Sequence, residues 1–153
     1  MSTEHIGRLT SGLVIGWREW VRLPDLGIVV KAKVDTGART SAIHATDIER
    51  HGDVVHFTVH PHQRDDDDAT RVSAPLVDVR EVRSSSGATS ERYVVRTPVT
   101  LHRRRWTIEL TLASRDDMGF RMLLGRTAVR GRFLVDPGVS YLAGDGNPSD
   151  TKM

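Results

Sequence analysis

Apolar residues fall at every second position in one short segment of this chain after another. That pattern constrains the fold more than any other feature. Between Leu26 and Val34, Ile28, Val30, Ala32 and Val34 fall on one side, and Val29, Lys31 and Lys33 on the other. A period of two marks a strand with one buried face. Trp106, Ile108, Leu110 and Leu112 alternate in the same way with Thr107, Glu109 and Thr111. Further strands are expected at Val54–Val59, Leu76–Val82, Tyr93–Leu101, Met122–Leu124 and Phe133–Val135, with Tyr141 and Leu142 closing the fold. Helical turns are expected only at Ala42–Arg50 and Arg126–Arg130. Short strands at regular spacing with so little helix point to a small all-β barrel or sandwich.

A chain of 153 residues suits one domain. We expect it at 13–143, between polar tails at 1–12 and 144–153. There is no cysteine, which excludes disulfides, thiolate metal sites and a cysteine nucleophile. No apolar run is long enough to span a bilayer, and the start, with Glu4 and His5, lacks a signal-like hydrophobic stretch. A cytoplasmic protein without a membrane partner is therefore expected.

The formal net charge of +2 is too small to argue for a nucleic-acid partner. Arg103, Arg104 and Arg105, between His102 and Trp106, read as a solvated strand edge rather than an RNA contact. Only Lys31, Lys33 and Lys152 are lysines, so nearly every cation is an arginine, the residue suited to bidentate carboxylate contacts. The acidic tract Arg64–Asp68 reads as a solvated loop.

The segment with chemistry in it runs from Lys33 to Ser41. A strand with a buried face leads directly into Asp35-Thr36-Gly37. This delivers a carboxylate at the base of a cleft, a hydroxyl able to bond across to a partner loop, and a glycine that permits close approach. Asp35-Thr36-Gly37-Ala38 resembles the catalytic loop of the retropepsin-like aspartic proteases. Met122-Leu123-Leu124-Gly125-Arg126 resembles the element that supports that loop and opens a short helix.

The segments from Val30 to His44, Glu91 to Tyr93, Trp106 to Leu112, Met122 to Arg126 and Phe133 to Asp136 are similar to the RimB-like group, long labelled ATP-dependent zinc proteases. The resemblance covers most of residues 14–142. It implies a closed or partly open acid-protease barrel and an association with RimK-type ATP-grasp ligases, which add glutamates to protein tails.

The zinc and ATP labels find little support in the residues. There is no His-Glu-x-x-His and no phosphate-binding Gly-rich loop. His56 and His60 are about 13 Å apart along a strand, too far for one ion. His60 and His62 are closer but have no evident third ligand. No metal or cofactor is expected, and His44 reads as a packing or hydrogen-bonding residue.

Carboxylate-driven peptide hydrolysis needs two carboxylates at one water, sharing a proton and titrating as a pair. With one Asp-Thr-Gly per chain, the second Asp35 is expected from a symmetric homodimer. Thr36 and Gly37 complete the catalytic loop, and Gly125 and Arg126 brace it. The echo Leu134-Val135-Asp136-Pro137-Gly138 offers Asp136 as an alternative second carboxylate. Pro137 removes both the hydroxyl and a backbone donor, so a structural turn is the favoured reading.

The Ser- and Gly-rich hairpin tip around Gly87 is the expected flap. Ala38, Arg39, Arg83, Gly87 and Arg92 are the expected substrate contacts, with the three arginines reading an acidic or glutamate-rich peptide. The chain is thus expected to be an aspartic peptidase acting on a peptide or protein substrate. The alternative is a non-catalytic module that binds and regulates a RimK-type ligase.

Overall fold

The computed structural model describes residues 13–62, 69–83, 86–114 and 119–143; both expected tails and the Arg64–Asp68 tract lie outside these. The strands are β1 (Val14–Ile15), β2 (Arg18–Leu23), β3 (Ile28–Asp35), β4 (Ser41–His51), β5 (Val54–Val59), β6 (Thr70–Arg83), β7 (Thr89–Leu101), β8 (Arg104–Ala113), β9 (Met122–Gly125) and β10 (Leu134–Val135). A 3-10 turn at Pro24–Leu26 and the single turn α1 (Arg126–Val129) are the helical elements among the described residues. No described helix is long and apolar enough to cross a membrane.

The order β2-β3-β9-β4-β5-β6-β7-β8, with extra pairings β2–β7 and β4–β8, closes the sheet on itself. Two rings result. One runs β2-β3-β9-β4-β8-β7 and the other β4-β5-β6-β7-β8. The fold is the expected small all-β barrel. Closure leaves fewer unpaired edges and encloses one core, which includes Val30, Phe57, Val95, Leu110, Met122 and Leu124. Burial alternates along β3 and β8 as their sequences predict, because each strand gives one face to that core.

Ala42–Arg50 is not helical. It lies within β4, whose start pairs with β8 and β9 and whose end pairs with β5. Ile43 and Ala45 point into the core, and three partner strands override the helix-friendly Ala and Glu residues. A bulge between Thr46 and Glu49, with Asp47 at φ 49°, bends the strand between its two sets of partners.

The Arg126–Arg130 expectation is met by α1. The other helical turn lies instead at Pro24, whose fixed φ suits a first helical position, and it ends at Gly27 in the left-handed conformation. β1 and β2 were not expected from the sequence.

Arg103 and His102 occupy the β7–β8 turn with φ of 63° and 53°. Arg104 donates to the Arg132 carbonyl at 3.2 Å, and Arg105 lies 3.5 Å from Asp25. Arg104 and Arg105 therefore contact the protein itself.

Candidate active site

β9 lies between β3 and β4, parallel to the first and antiparallel to the second. The segment linking β3 to β4 must therefore cross the end of β9, and this segment is the Asp-Thr-Gly loop. Asp35 is the last residue of β3 and sits in register with Gly125, the last residue of β9. Core packing of Val34 and Leu124 fixes that register, so the strand ladder sets where the carboxylate stands.

The loop turns on Asp35 itself. The Gly37 N–H donates to Asp35 Oδ1 at 3.1 Å, and the Ala38 N–H donates to the Asp35 carbonyl at 3.2 Å. This is an Asx turn. It points one carboxylate oxygen inward to the backbone. Among the described residues the other oxygen, Oδ2, carries no hydrogen bond and Asp35 has no ion pair. Asp35 is half-buried, and Thr36 and Gly37 are exposed. A Cβ on Gly37 would stand 3.3 Å from Asp35 Oδ1, so glycine keeps the space beside the carboxylate clear.

Four hydrogen bonds clamp the loop to the end of β9. Arg126 N–H donates to the Ala38 carbonyl (2.8 Å), and Thr127 N–H to the Arg39 carbonyl (3.1 Å). The Arg126 guanidinium donates to the Thr36 carbonyl (3.2 Å), and Gly125 N–H to Ser41 Oγ (3.0 Å). The first N–H groups of α1 have no partner within their own turn, and the loop carbonyls satisfy two of them.

Gly125 has a steric reason for its identity. A Cβ there would lie 2.4 Å from the Thr40 carbonyl carbon and 2.5 Å from its oxygen. Gly125→Ala is therefore expected to destabilise the protein by about 1–3 kcal/mol, the usual cost of overpacking, because backbone must move on one side or the other. Chemical denaturation would measure this, and a variant as stable as the parent would contradict the clamp.

Asp136 occupies a similar turn: Gly138 N–H donates to its Oδ1 at 3.0 Å, and Val139 N–H to its carbonyl at 3.4 Å. It follows β10, which among the described residues pairs with β1 in a separate two-stranded sheet. Asp136 is exposed, and Pro137 stands where the first loop has Thr36.

Among the expected substrate contacts, Arg39 is exposed on the loop and lines a cavity of about 500 Å³ with Arg80, Glu109, Thr127 and Arg132. Arg92 is not among the residues lining that cavity. It is half-buried on β7, directly across from Arg80 on β6. The backbone of Arg83 pairs with Thr89, but its side chain lies outside the described residues. Gly87 sits at φ 88° in the β6–β7 hairpin tip, a conformation glycine adopts without strain.

The structure adds Ser41, Arg80 and Arg132 to the residues around the loop. Only Ser41 stood close enough in sequence to suggest a role.

Four of the described histidines pair through their rings. His56 packs edge-on against His51, with ring centroids 4.9 Å apart. His60 bonds Thr46 at 2.8 Å and lies 5.3 Å from the buried ring of His44. Among the described residues no three His, Cys, Asp or Glu side chains are grouped to hold a metal.

A family profile described as the retropepsin-like aspartic endopeptidase RimB matches residues 14–145. The chain belongs to the RimB-like family. A "Probable alpha-L-glutamate ligase" of Desulfotalea psychrophila is 46% identical over 137 residues, covering 86% of this chain but 30% of that protein. A protein of the same name from Parasynechococcus marenigrum is 45% identical over 142 residues, covering 90% of this chain and 30% of its own length. The RimB-like chain thus spans less than a third of these curated relatives. A solved Legionella pneumophila structure of unknown function superposes with a TM-score of 0.71 at 27% identity, covering 87% of this chain and 99% of that one.

Proposed function

We propose that this RimB-like domain is an aspartic peptidase that works as a homodimer on acidic protein tails. The observation that carries this reading is Asp35. It is a half-buried carboxylate with one oxygen turned to its own loop and the other unoccupied, on a loop clamped at four points. Such rigidity suits a group that must meet a water at fixed distance.

In the proposed reaction, one Asp35 carboxylate takes a proton from the attacking water. The Asp35 of a second chain gives its proton to the substrate carbonyl oxygen. Water oxygen bonds to the carbonyl carbon, the C–N bond then breaks, and the amine leaves with a proton returned by the dyad. The exposed Thr36 is free to bond the matching loop of the second chain. Asp136 suits this role poorly because it follows β10 of the separate β1–β10 sheet and has Pro137 in place of Thr36.

A second reading is favoured by the relatives. Each is named a "Probable alpha-L-glutamate ligase", and a stretch resembling this chain makes up about a third of each. On that reading the domain binds the ligase or its acidic product and regulates it without cleavage.

Incubating the protein with a peptide extended by several glutamates separates the two. The peptidase reading expects progressive shortening by mass spectrometry, unchanged by a chelator. It also expects a solution mass twice the 17.0 kDa of one chain. Stable binding without shortening would establish the regulatory reading instead.

A further inference from the structure

The cavity beside the Asp35 loop holds a combination that the peptidase reading does not by itself require. We propose that it is a specificity subsite for one substrate carboxylate, read by Arg39 and Arg132, with Glu109 as a built-in competitor for Arg80. This rests on the peptidase reading for the fate of the ligand, but the binding site itself does not.

The space is about 500 Å³, room for a side chain and some of its backbone. Its ionisable lining is Arg39, Arg80, Arg132 and Glu109. Arginine stays charged at any working pH, so the lining carries a lasting excess of positive charge. The hydroxyl residues Thr107 and Thr127 also line it and can donate to carboxylate oxygens.

The three arginines are not equivalent. Arg39 has no ion pair among the described residues. It sits four positions after Asp35 on the clamped loop, so an anion held there is placed relative to the catalytic carboxylate. Arg132 lies over the Trp106 ring, 5.3 Å from its centroid. A guanidinium held over an aromatic ring keeps its charge and can still donate N–H groups to an anion.

Arg80 is already engaged, with Asp78 at 2.9 Å and Glu109 at 3.3 Å. The Glu109 side chain is 52% exposed and lines the same space, so a substrate carboxylate competes with it directly. Arg80 stands on β6, the strand that leads to the Gly87 tip. An acid seated here would therefore touch the catalytic loop and the base of the hairpin together.

Calorimetry with the 153-residue Asp35→Asn chain, titrated with hexaglutamate or hexaglutamine, tests this without cleavage. We expect hexaglutamate to bind at least about tenfold more tightly, and Arg39→Gln or Arg132→Gln each to weaken it about tenfold with no effect on hexaglutamine. Glu109→Gln should tighten hexaglutamate several-fold by releasing Arg80. Arg50→Gln, which alters an exposed arginine bonded to Gly52 on the β4–β5 hairpin, controls for net charge and should change nothing.

Equal binding of the two peptides, or arginine variants that bind like the parent, would overturn the subsite. Weaker binding by Glu109→Gln would overturn the competitor role. If the binding pattern holds but wild-type protein leaves hexaglutamate intact, the peptidase reading fails and the subsite stands.

Discussion

Asp35→Asn is expected to lower peptide hydrolysis by roughly 10²–10⁴-fold, the range that a positioned general acid–base contributes. The fold should survive. Asparagine keeps an oxygen able to accept the Gly37 N–H, which is the hydrogen bond the side chain makes within the described structure. Circular dichroism and thermal melting should therefore match the parent while cleavage disappears.

Mixing then tests the two-chain site. If each site needs an Asp35 from both chains, equal amounts of parent and variant subunits, randomly reassorted, leave about a quarter of the dimers with two native loops. Activity per dimer should fall to that fraction. A single-chain site using Asp136 would instead retain half, and Asp136→Asn would abolish it. Activity unaffected by Asp35→Asn would end the peptidase reading altogether.

The largest stability effect is expected at Glu19, away from the loop. Glu19 is fully buried on β2. Its carboxylate accepts N–H groups from Gly16 (2.7 Å), Leu142 (2.8 Å) and Ala143 (3.0 Å). One side chain thus ties the start of the barrel to residues more than a hundred positions later.

Glu19→Ala removes all three acceptors and leaves a void. Each buried donor left unpaired costs about 1–3 kcal/mol, so a loss on the order of 3–5 kcal/mol is expected, allowing for water reaching the outer two. That corresponds to a melting temperature lower by roughly 10 °C or more. Glu19→Gln, which keeps one acceptor oxygen, should fall between. A melting curve for Glu19→Ala within a degree or two of the parent would contradict the assignment.

Glu19 also explains why β2 is hard to read in the sequence. Along Arg18–Leu23 the inward positions are Glu19, Val21 and Leu23. A glutamate in the buried phase breaks the alternation that marks a strand, and the N–H groups that make its burial tolerable lie in distant sequence. Ala42–Arg50 misled for a related reason. Its residues suit a helix, but β8, β9 and β5 all offer partners, and pairing outweighs local preference. The arginines that line the cavity show the same limit. Arg39 was legible because it adjoins the motif, whereas Arg80 and Arg132 come from β6 and the segment after α1 and meet it only through the closure of the barrel.

The sequence by itself determined the all-β class, the faces of β3 and β8, and the Asp35-Thr36-Gly37 loop with Gly125 and Arg126 as its support. These are properties of adjacent residues: alternation at period two, and short motifs whose turn and capping geometry is local. Tertiary structure decided which strands neighbour one another, where a buried glutamate finds its donors, and which of many arginines share a cavity with the loop. Those outcomes depend on contacts between residues far apart in the chain, and no local pattern encodes them.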